Sequence, residues 1–305
     1  MTVNTTRRDL MTAGALAAAG ATIAGPAAAQ RAPAAPAGTR ATAAPLTGRA
    51  DRNGRFAGKT LIVTGGTSGF GRAVAEEIAR QGGYVAFNGR REALGREVQA
   101  GIRAFGGQAD FTPVNVTDRA GMKRWVDGVA QRRGGVDLLH ANAGIAQRGG
   151  PTAELDEAHW DEMWRTNVSG MFYAVKDTIP HMLRRGGGAI VMTGSAFGYR
   201  AAPQLAAYNA NKYAVHGMMR SIALELGPQN VRVNAVAPGA VPTTDFGRNN
   251  GAPTPEGIAM GNSNHGIGRM GETMEVAKAV VWLMSDEASF VAGEVLAADG
   301  AFRVG

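Results

Sequence analysis

Tyr208 and Lys212 stand four residues apart in the apolar stretch 207–226, so on a helix they share one face. A free phenol titrates near ~10, and a neighbouring ammonium favours the phenolate and draws that value down. A Tyr and a Lys so placed can take up and return a proton at working pH. Alone, such a pair is as readily a helix-surface contact. Its meaning depends on what surrounds it. Ser195 lies upstream with twelve residues between it and Tyr208. The stretch "KTLIVTGGTSGFGRAVAEEIARQG" (59–82) sets Gly65, Gly69 and Gly71 between a β-branched run and an amphipathic helix. Glycines in that context let the backbone approach a pyrophosphate, whose charge the helix N-terminus meets.

The next strand ends in "AFNGRREA", with Gly89 where a carboxylate would bind the adenine ribose hydroxyls and Arg90 and Arg91 directly after. Guanidinium groups suit a 2′-phosphate, which favours NADP(H) over NAD(H); read more plainly, the two arginines open a solvated helix. Other chemistries fare worse. The chain has no Cys, which excludes disulfides, thiolate metal sites and Cys nucleophiles. His140 falls in a buried strand and reads as a satisfied core residue rather than a base. His159, His181, His216 and His265 show no metal-ligand spacing, so no metal is expected. Trp160 and Trp164, beside Met163, read as helix packing.

These residues need a frame to hold them. Strands are expected at 60–63, 84–87, 109–114, 136–141, 189–193, 231–236 and 295–298, with helices between them such as 71–80, 118–132 and 207–226. Strand–helix alternation implies parallel pairing, so the fold class is α/β: a single Rossmann-type, doubly wound domain with a mostly seven-stranded parallel sheet. No repeat or second core interrupts it. Residues 244–268, "TDFGRNNGAPTPEGIAMGNSNHGIG", are rich in Gly, Asn and Pro and read as a long mobile loop.

The spacing T-G-x-x-x-G-x-G from Thr64 to Gly71, with Asn142-Ala143-Gly144, Asn167 in "NVSG", Ser195 and Tyr208-x-x-x-Lys212, resembles the short-chain dehydrogenase/reductase family. "PGAVPT" (238–243) and "GEVLAADG" (293–300) match as well, and the likeness spans residues 55–305. The resemblance implies a catalytic tetrad of Asn167, Ser195, Tyr208 and Lys212. In it the Tyr phenol is the general acid/base, the Ser binds the substrate oxygen, the Lys holds the nicotinamide ribose and the Asn anchors a water. It further implies cofactor contacts from Gly65, Thr67, Ser68, Gly69, Phe70, Gly71, Asn115, Val116, Asn142, Ala143, Gly144, Pro238, Gly239, Val241 and Thr243, besides Arg90, Arg91, Tyr208 and Lys212. Two positions depart from the NADP-preferring pattern: Ser68 replaces a basic residue in the glycine loop, and Asn115 replaces an Asp after the third strand. The implied activity is hydride transfer between NADP(H) and a secondary alcohol or ketone by a homotetramer. Helices near 155–185 and 204–226 would meet a neighbour, with Met218, Met219, Ile222 and Leu226 as an apolar stripe. The alternatives are a non-catalytic nucleotide-binding sensor, disfavoured by the intact tetrad, and a dehydratase or epimerase of the extended relatives, disfavoured by the glycine spacing.

The net charge of +7 is unevenly placed: residues 30–59 hold five arginines and one lysine against Asp51, which leaves residues 60–305 near neutrality. A nucleic-acid partner is therefore not expected. Arg7 and Arg8, a weakly apolar stretch to residue 25 and Ala27-Ala28-Ala29 read as a twin-arginine-like signal peptide over residues 1–29, cleaved after Ala29. The Ala/Gly content is too weakly apolar for stable membrane insertion. Residues 30–54, punctuated by Pro33, Pro36 and Pro45, read as a disordered linker. The expected address is periplasmic, or cytoplasmic if the leader does not function.

Overall fold

The computed structural model describes residues 48–244, 247 and 254–304. The leader and the linker up to residue 47 lie outside the described residues. Seven strands, β1 (Thr60–Val63), β2 (Tyr84–Asn88), β3 (Gln108–Thr112), β4 (Leu138–Ala141), β5 (Gly188–Thr193), β6 (Val231–Pro238) and β7 (Val295–Ala298), form one sheet in the order β3-β2-β1-β4-β5-β6-β7. Every pairing is parallel. Runs such as Thr60–Val63 and Leu138–Ala141 are buried along their whole length, as strands covered on both faces must be. The helices are α1 (Gly69–Arg80), α2 (Glu92–Ala104), α3 (Arg119–Arg133), α4 (Glu157–Trp164), α5 (Gly170–Arg184), α6 (Ala206–Leu226), α7 (Pro255–Ser263) and α8 (Thr273–Met284). One apolar cluster joins α1, α2 and α8 to one face of the sheet, and another joins α3, α5 and α6 to the other. This is the doubly wound α/β domain the alternation implies. The strand order reverses between β1 and β4, and there the loops at the carboxyl ends of the strands part to leave a crevice.

Four expectations need correction. The segment 244–268 is not loop throughout, because it contains α7. Thr254 caps that helix by accepting from the Gly257 N–H at 3.0 Å, and Pro255 occupies its first turn, a start signal that the surrounding glycines obscure. The stripe on α6 does not face outward: Met219, Ile222 and Leu226 are buried in the chain's own core and Met218 packs against it. Trp160 and Trp164 stack on each other at 6.2 Å and are each 38% exposed, while Met163 alone turns fully inward. The packed edge also starts before residue 55, since the Ala50 and Asp51 N–H groups donate to the Phe105 and Arg80 carbonyls at 2.8 Å.

Candidate functional site

Three strand ends are tied together where the sheet opens. The Thr64 hydroxyl, just past β1, accepts from the N–H groups of Asn142 and Ala143 at 2.9 and 3.0 Å. The Asn142 amide donates to the Thr64 and Gly65 carbonyls at 3.1 and 3.3 Å. Its oxygen accepts from the Thr193 hydroxyl at 3.1 Å. Because that hydroxyl proton is committed to Asn142, His140 Nε2 must donate to Thr193 Oγ1 across 3.0 Å. His140 Nδ1 is then left bare and without a partner. The ring is fully buried, which pushes its pKa down to about 3 and keeps it neutral. His140 is a core residue, as expected, but only half satisfied.

Beside this hub lies a cavity of about 290 Å³. Its floor on the β1 side is the glycine loop. Gly65 sits at φ +70°, and a Cβ there would come within 2.9 Å of the Ala143 Cα, so the close approach requires glycine. The Ser68 side chain stands at the N-cap of α1 but makes no capping bond. It accepts instead from Arg91 at 2.6 Å. The first amides of α1 are therefore left without a side-chain acceptor, the arrangement that receives a phosphate. Arg91 also reaches Thr67 at 3.4 Å, and Arg90 and Gly89 line the same end of the cavity. The backbone of the glycine loop fits a dinucleotide, and the cationic end lies beside it.

At the other end stand Ser195, Tyr208 and Lys212, all buried. Lys212 Nζ donates to the Thr193 carbonyl at 2.9 Å, which hangs it from the same strand end as the hub. Ser195 Oγ accepts from the Phe197 N–H at 3.1 Å and bonds to the Tyr208 hydroxyl. Burial pushes the Tyr208 phenol up to about 12, with the Ser195 bond opposing it, and pulls Lys212 down to about 8. The expected depression of the phenol pKa is absent from this arrangement, because loss of water around a would-be phenolate outweighs what the site returns to it.

The structure distributes the sequence-derived residues unevenly. Gly65, Thr67, Ser68, Gly69, Phe70, Arg90, Arg91, Asn115, Val116, Asn142, Ala143, Gly144, Ser195, Tyr208, Lys212, Pro238 and Gly239 line the cavity. Asn167, Gly71, Val241 and Thr243 are not among the lining residues. Asn167 is held in a π-turn, Arg165–Ser169, between α4 and α5. There it accepts from the Ile145 N–H at 2.7 Å and donates to the Ile145 carbonyl at 2.9 Å and to Asn211 at 3.2 Å. It fixes the cavity wall rather than forming it. Val241 is core, and Thr243 pairs with Thr273 at 2.7 Å outside the cleft, while Thr244 takes the lining place. Two contributors escaped the sequence reading, Asn88 and Phe302. Asn88, fully buried, accepts from the Gly65 N–H at 3.0 Å and holds the glycine loop. Phe197 and Phe302 supply an aromatic wall. A polar residue closing the apolar run of β2 is a usable signal for Asn88; nothing in the sequence brings Phe302 to the site.

The family model described as enoyl-(acyl carrier protein) reductase matches residues 65–302. A 2,5-dichloro-2,5-cyclohexadiene-1,4-diol dehydrogenase from Sphingobium indicum is 40% identical over 250 residues, 81% of this chain and 98% of that protein. A cyclopentanol dehydrogenase from Comamonas testosteroni is 35% identical, with 82% and 98% covered. The solved structure of carveol dehydrogenase from Mycobacterium avium in complex with NAD superposes with a TM-score of 0.77 at 30% identity, covering 83% of this chain and all of that one.

The burial that holds His140 neutral also acts on His216, which lies under Gly194 and Gly198 with its ring 5.0 Å from Tyr199. Burial, then Lys212 and Arg220, push it down to about 4. Between pH 6.5 and 4 the unfolded chain binds protons at both histidines that the folded chain refuses. Stability therefore falls as pH drops through that window. His216→Phe should remove on the order of 3 kcal/mol of this loss. Urea unfolding at pH 6.5 and pH 4 measures it, and an unaltered difference would refute the role given to burial.

Proposed function

The chain belongs to the short-chain dehydrogenase/reductase family, and from that premise we propose that it moves a hydride between NADP(H) and a cyclic secondary alcohol or its ketone, with Tyr208 as general acid/base. One observation carries this reading: Ser195, Tyr208 and Lys212 converge in the same cleft as a glycine-lined helix N-terminus and Arg91. The cyclic alcohol follows from the relatives, since dichlorocyclohexadienediol and cyclopentanol both carry their hydroxyl on a ring.

The residues divide the work. Gly65, Gly69 and the first amides of α1 hold the diphosphate, Asn115 and Val116 flank the adenine, and Arg90 with Arg91 meets the 2′-phosphate. The bound dinucleotide supplies the hydride acceptor or donor. Ser195 and Tyr208 hold the substrate oxygen between their hydroxyls, and Tyr208 takes the alcohol proton during oxidation or returns it during reduction. Lys212 remains largely charged below about pH 8 and favours the phenolate. A tetramer is proposed with it, with the exposed Trp160, Trp164 and Tyr213 on α4 and α6 as candidate contacts in place of the buried stripe.

Tyr208→Phe keeps the ring and removes the proton donor. Turnover should fall on the order of 10²-fold or more while dinucleotide binding survives. Turnover retained in that variant would remove Tyr208 from the mechanism.

Cofactor choice is best tested at the arginines, because a side chain at Gly89 would meet Thr67 Cγ2 at 2.5 Å. Arg90→Ala with Arg91→Ala should raise the KM for NADP+ at least tenfold and change the KM for NAD+ little, as expected where charge-assisted bonds to the extra phosphate are lost. A parent enzyme that already prefers NAD+ contradicts the assignment.

Arg7-Arg8 and Ala27-Ala28-Ala29 support export by the twin-arginine route, which carries proteins already folded. An enzyme sent to the periplasm would have to carry its dinucleotide along and recycle it in place with a second substrate. Cell fractionation with sequencing of the mature N-terminus tests the address, and a cytoplasmic protein that begins at Met1 refutes export. Loss of dinucleotide within minutes of dialysis excludes recycling in place.

A further inference from the structure

The turn that follows β7 is folded back onto the active-site cleft. Asp299, 7% exposed, accepts from the N–H groups of Ala301 and Arg303 at 3.1 and 3.0 Å. Ala301 takes the left-handed conformation at φ +65°. Together these reverse the chain so that Phe302, 8% exposed, becomes part of the cavity wall. Its ring stands edge-on to Phe197 at 5.5 Å and 75°, and Phe197 in turn stands edge-on to the Tyr208 ring at 6.2 Å and 74°. An aromatic chain thus runs from the turn after β7 to the phenol that moves the proton.

Arg200 holds this arrangement from outside. Its guanidinium lies 4.6 Å from the centroid of the Phe302 ring and Nη1 donates to the Phe302 carbonyl at 2.5 Å. Both contacts come from one planar group, which fixes the ring and its backbone together. Arg200 is itself anchored, because Asn209, next to Tyr208, donates to the Arg200 and Phe197 carbonyls, each at 2.7 Å. The His265 ring lies tilted at 38° to Phe302 with ring centres 5.0 Å apart, and His265 accepts from the Ala240 N–H at 3.1 Å. The aromatic wall is thus fixed at the Tyr208 end of the cavity.

We propose that Phe302 is the specificity-determining wall of the substrate site, selecting compact apolar ring alcohols, and that Arg200 is the positioning residue that holds it. The inference rests on the alcohol-oxidoreductase reading above and adds the residue that sets substrate size.

The test compares cyclopentanol, cyclohexanol and cyclooctanol with the full chain and Phe302→Ala, Phe302→Leu and Arg200→Ala variants. Phe302→Ala should lose about tenfold in kcat/KM for cyclopentanol, through KM, and should gain on cyclooctanol, the scale a hydrophobic wall contributes to discrimination. Phe302→Leu should fall between. Arg200→Ala should shift the ring-size profile the same way, with kcat and the KM for dinucleotide unchanged, a split that a general loss of structure would not give. Phe302→Leu and Arg200→Ala variants that melt like the parent and keep its ring-size profile overturn the proposal. If the parent oxidises none of the three alcohols, the alcohol-oxidoreductase reading fails, and saturation-transfer NMR with cyclohexanol then reads the wall alone. Transfer weakened by Phe302→Leu and Arg200→Ala supports it, and equal transfer in the parent and both variants overturns it.

Discussion

The site depends on one hydrogen-bonded knot, the Asn142 side chain at the reversal point of the sheet. It has two donors and one acceptor oxygen, and all are spent on strand ends: the Thr64 and Gly65 carbonyls on one side and the Thr193 hydroxyl on the other. No charge is buried in making it, so no desolvation penalty of the kind that burdens an internal ion pair arises. A hydrogen-bonded network of this kind also rigidifies its surroundings. The glycine loop leaves from one end of this knot and the carbonyl that holds Lys212 from the other. The separation of the glycine loop from Lys212 is therefore set by these strand ends.

Burial acts on the two titrating groups of the site in a single sense, against charge. It raises the phenol to about 12 and lowers the ammonium to about 8. The Lys212 nitrogen lies 5.6 Å from the centre of the Tyr208 ring. The Ser195 bond opposes burial at the phenol and holds it lower than burial alone would. Both groups are thus biased toward their neutral forms, the phenol keeping its proton and the ammonium losing its own more readily than in water.

Much of this was legible in sequence because it is local. The β-branched runs and the glycine spacing mark each strand and the loop after β1, and Tyr208 and Lys212 are neighbours by helical period alone. What escaped is long-range. Arg200 and Phe302 meet across 102 positions, and neither residue carries a pattern that announces the other. The inward face of α6 was visible as an apolar stripe, but periodicity cannot say whether a neighbouring subunit or the chain's own sheet covers it. In α7, the capping Thr254 and Pro255 were outweighed by the glycines and asparagines around them. Asn167 was found by its place in a motif, yet its contacts to Ile145 and Asn211 depend on a π-turn that composition does not signal.

The cleft therefore has two kinds of wall. The sheet ends carry Thr64, Asn142 and Thr193, bonded to one another across neighbouring strands, and hold Lys212 of α6 through the Thr193 carbonyl. The outer wall is assembled from segments that meet only at their edges: Ile145 held by Asn167, Phe197 held by Asn209, and Phe302 held by Arg200. In all three cases the holding bond goes to a backbone carbonyl, so it survives replacement of the side chain that faces the cleft. Such a wall can be recut for another substrate without moving Tyr208. Backbone acceptors on the rim thus leave the side chains beside the phenol free to vary while the bonds that place the segments remain.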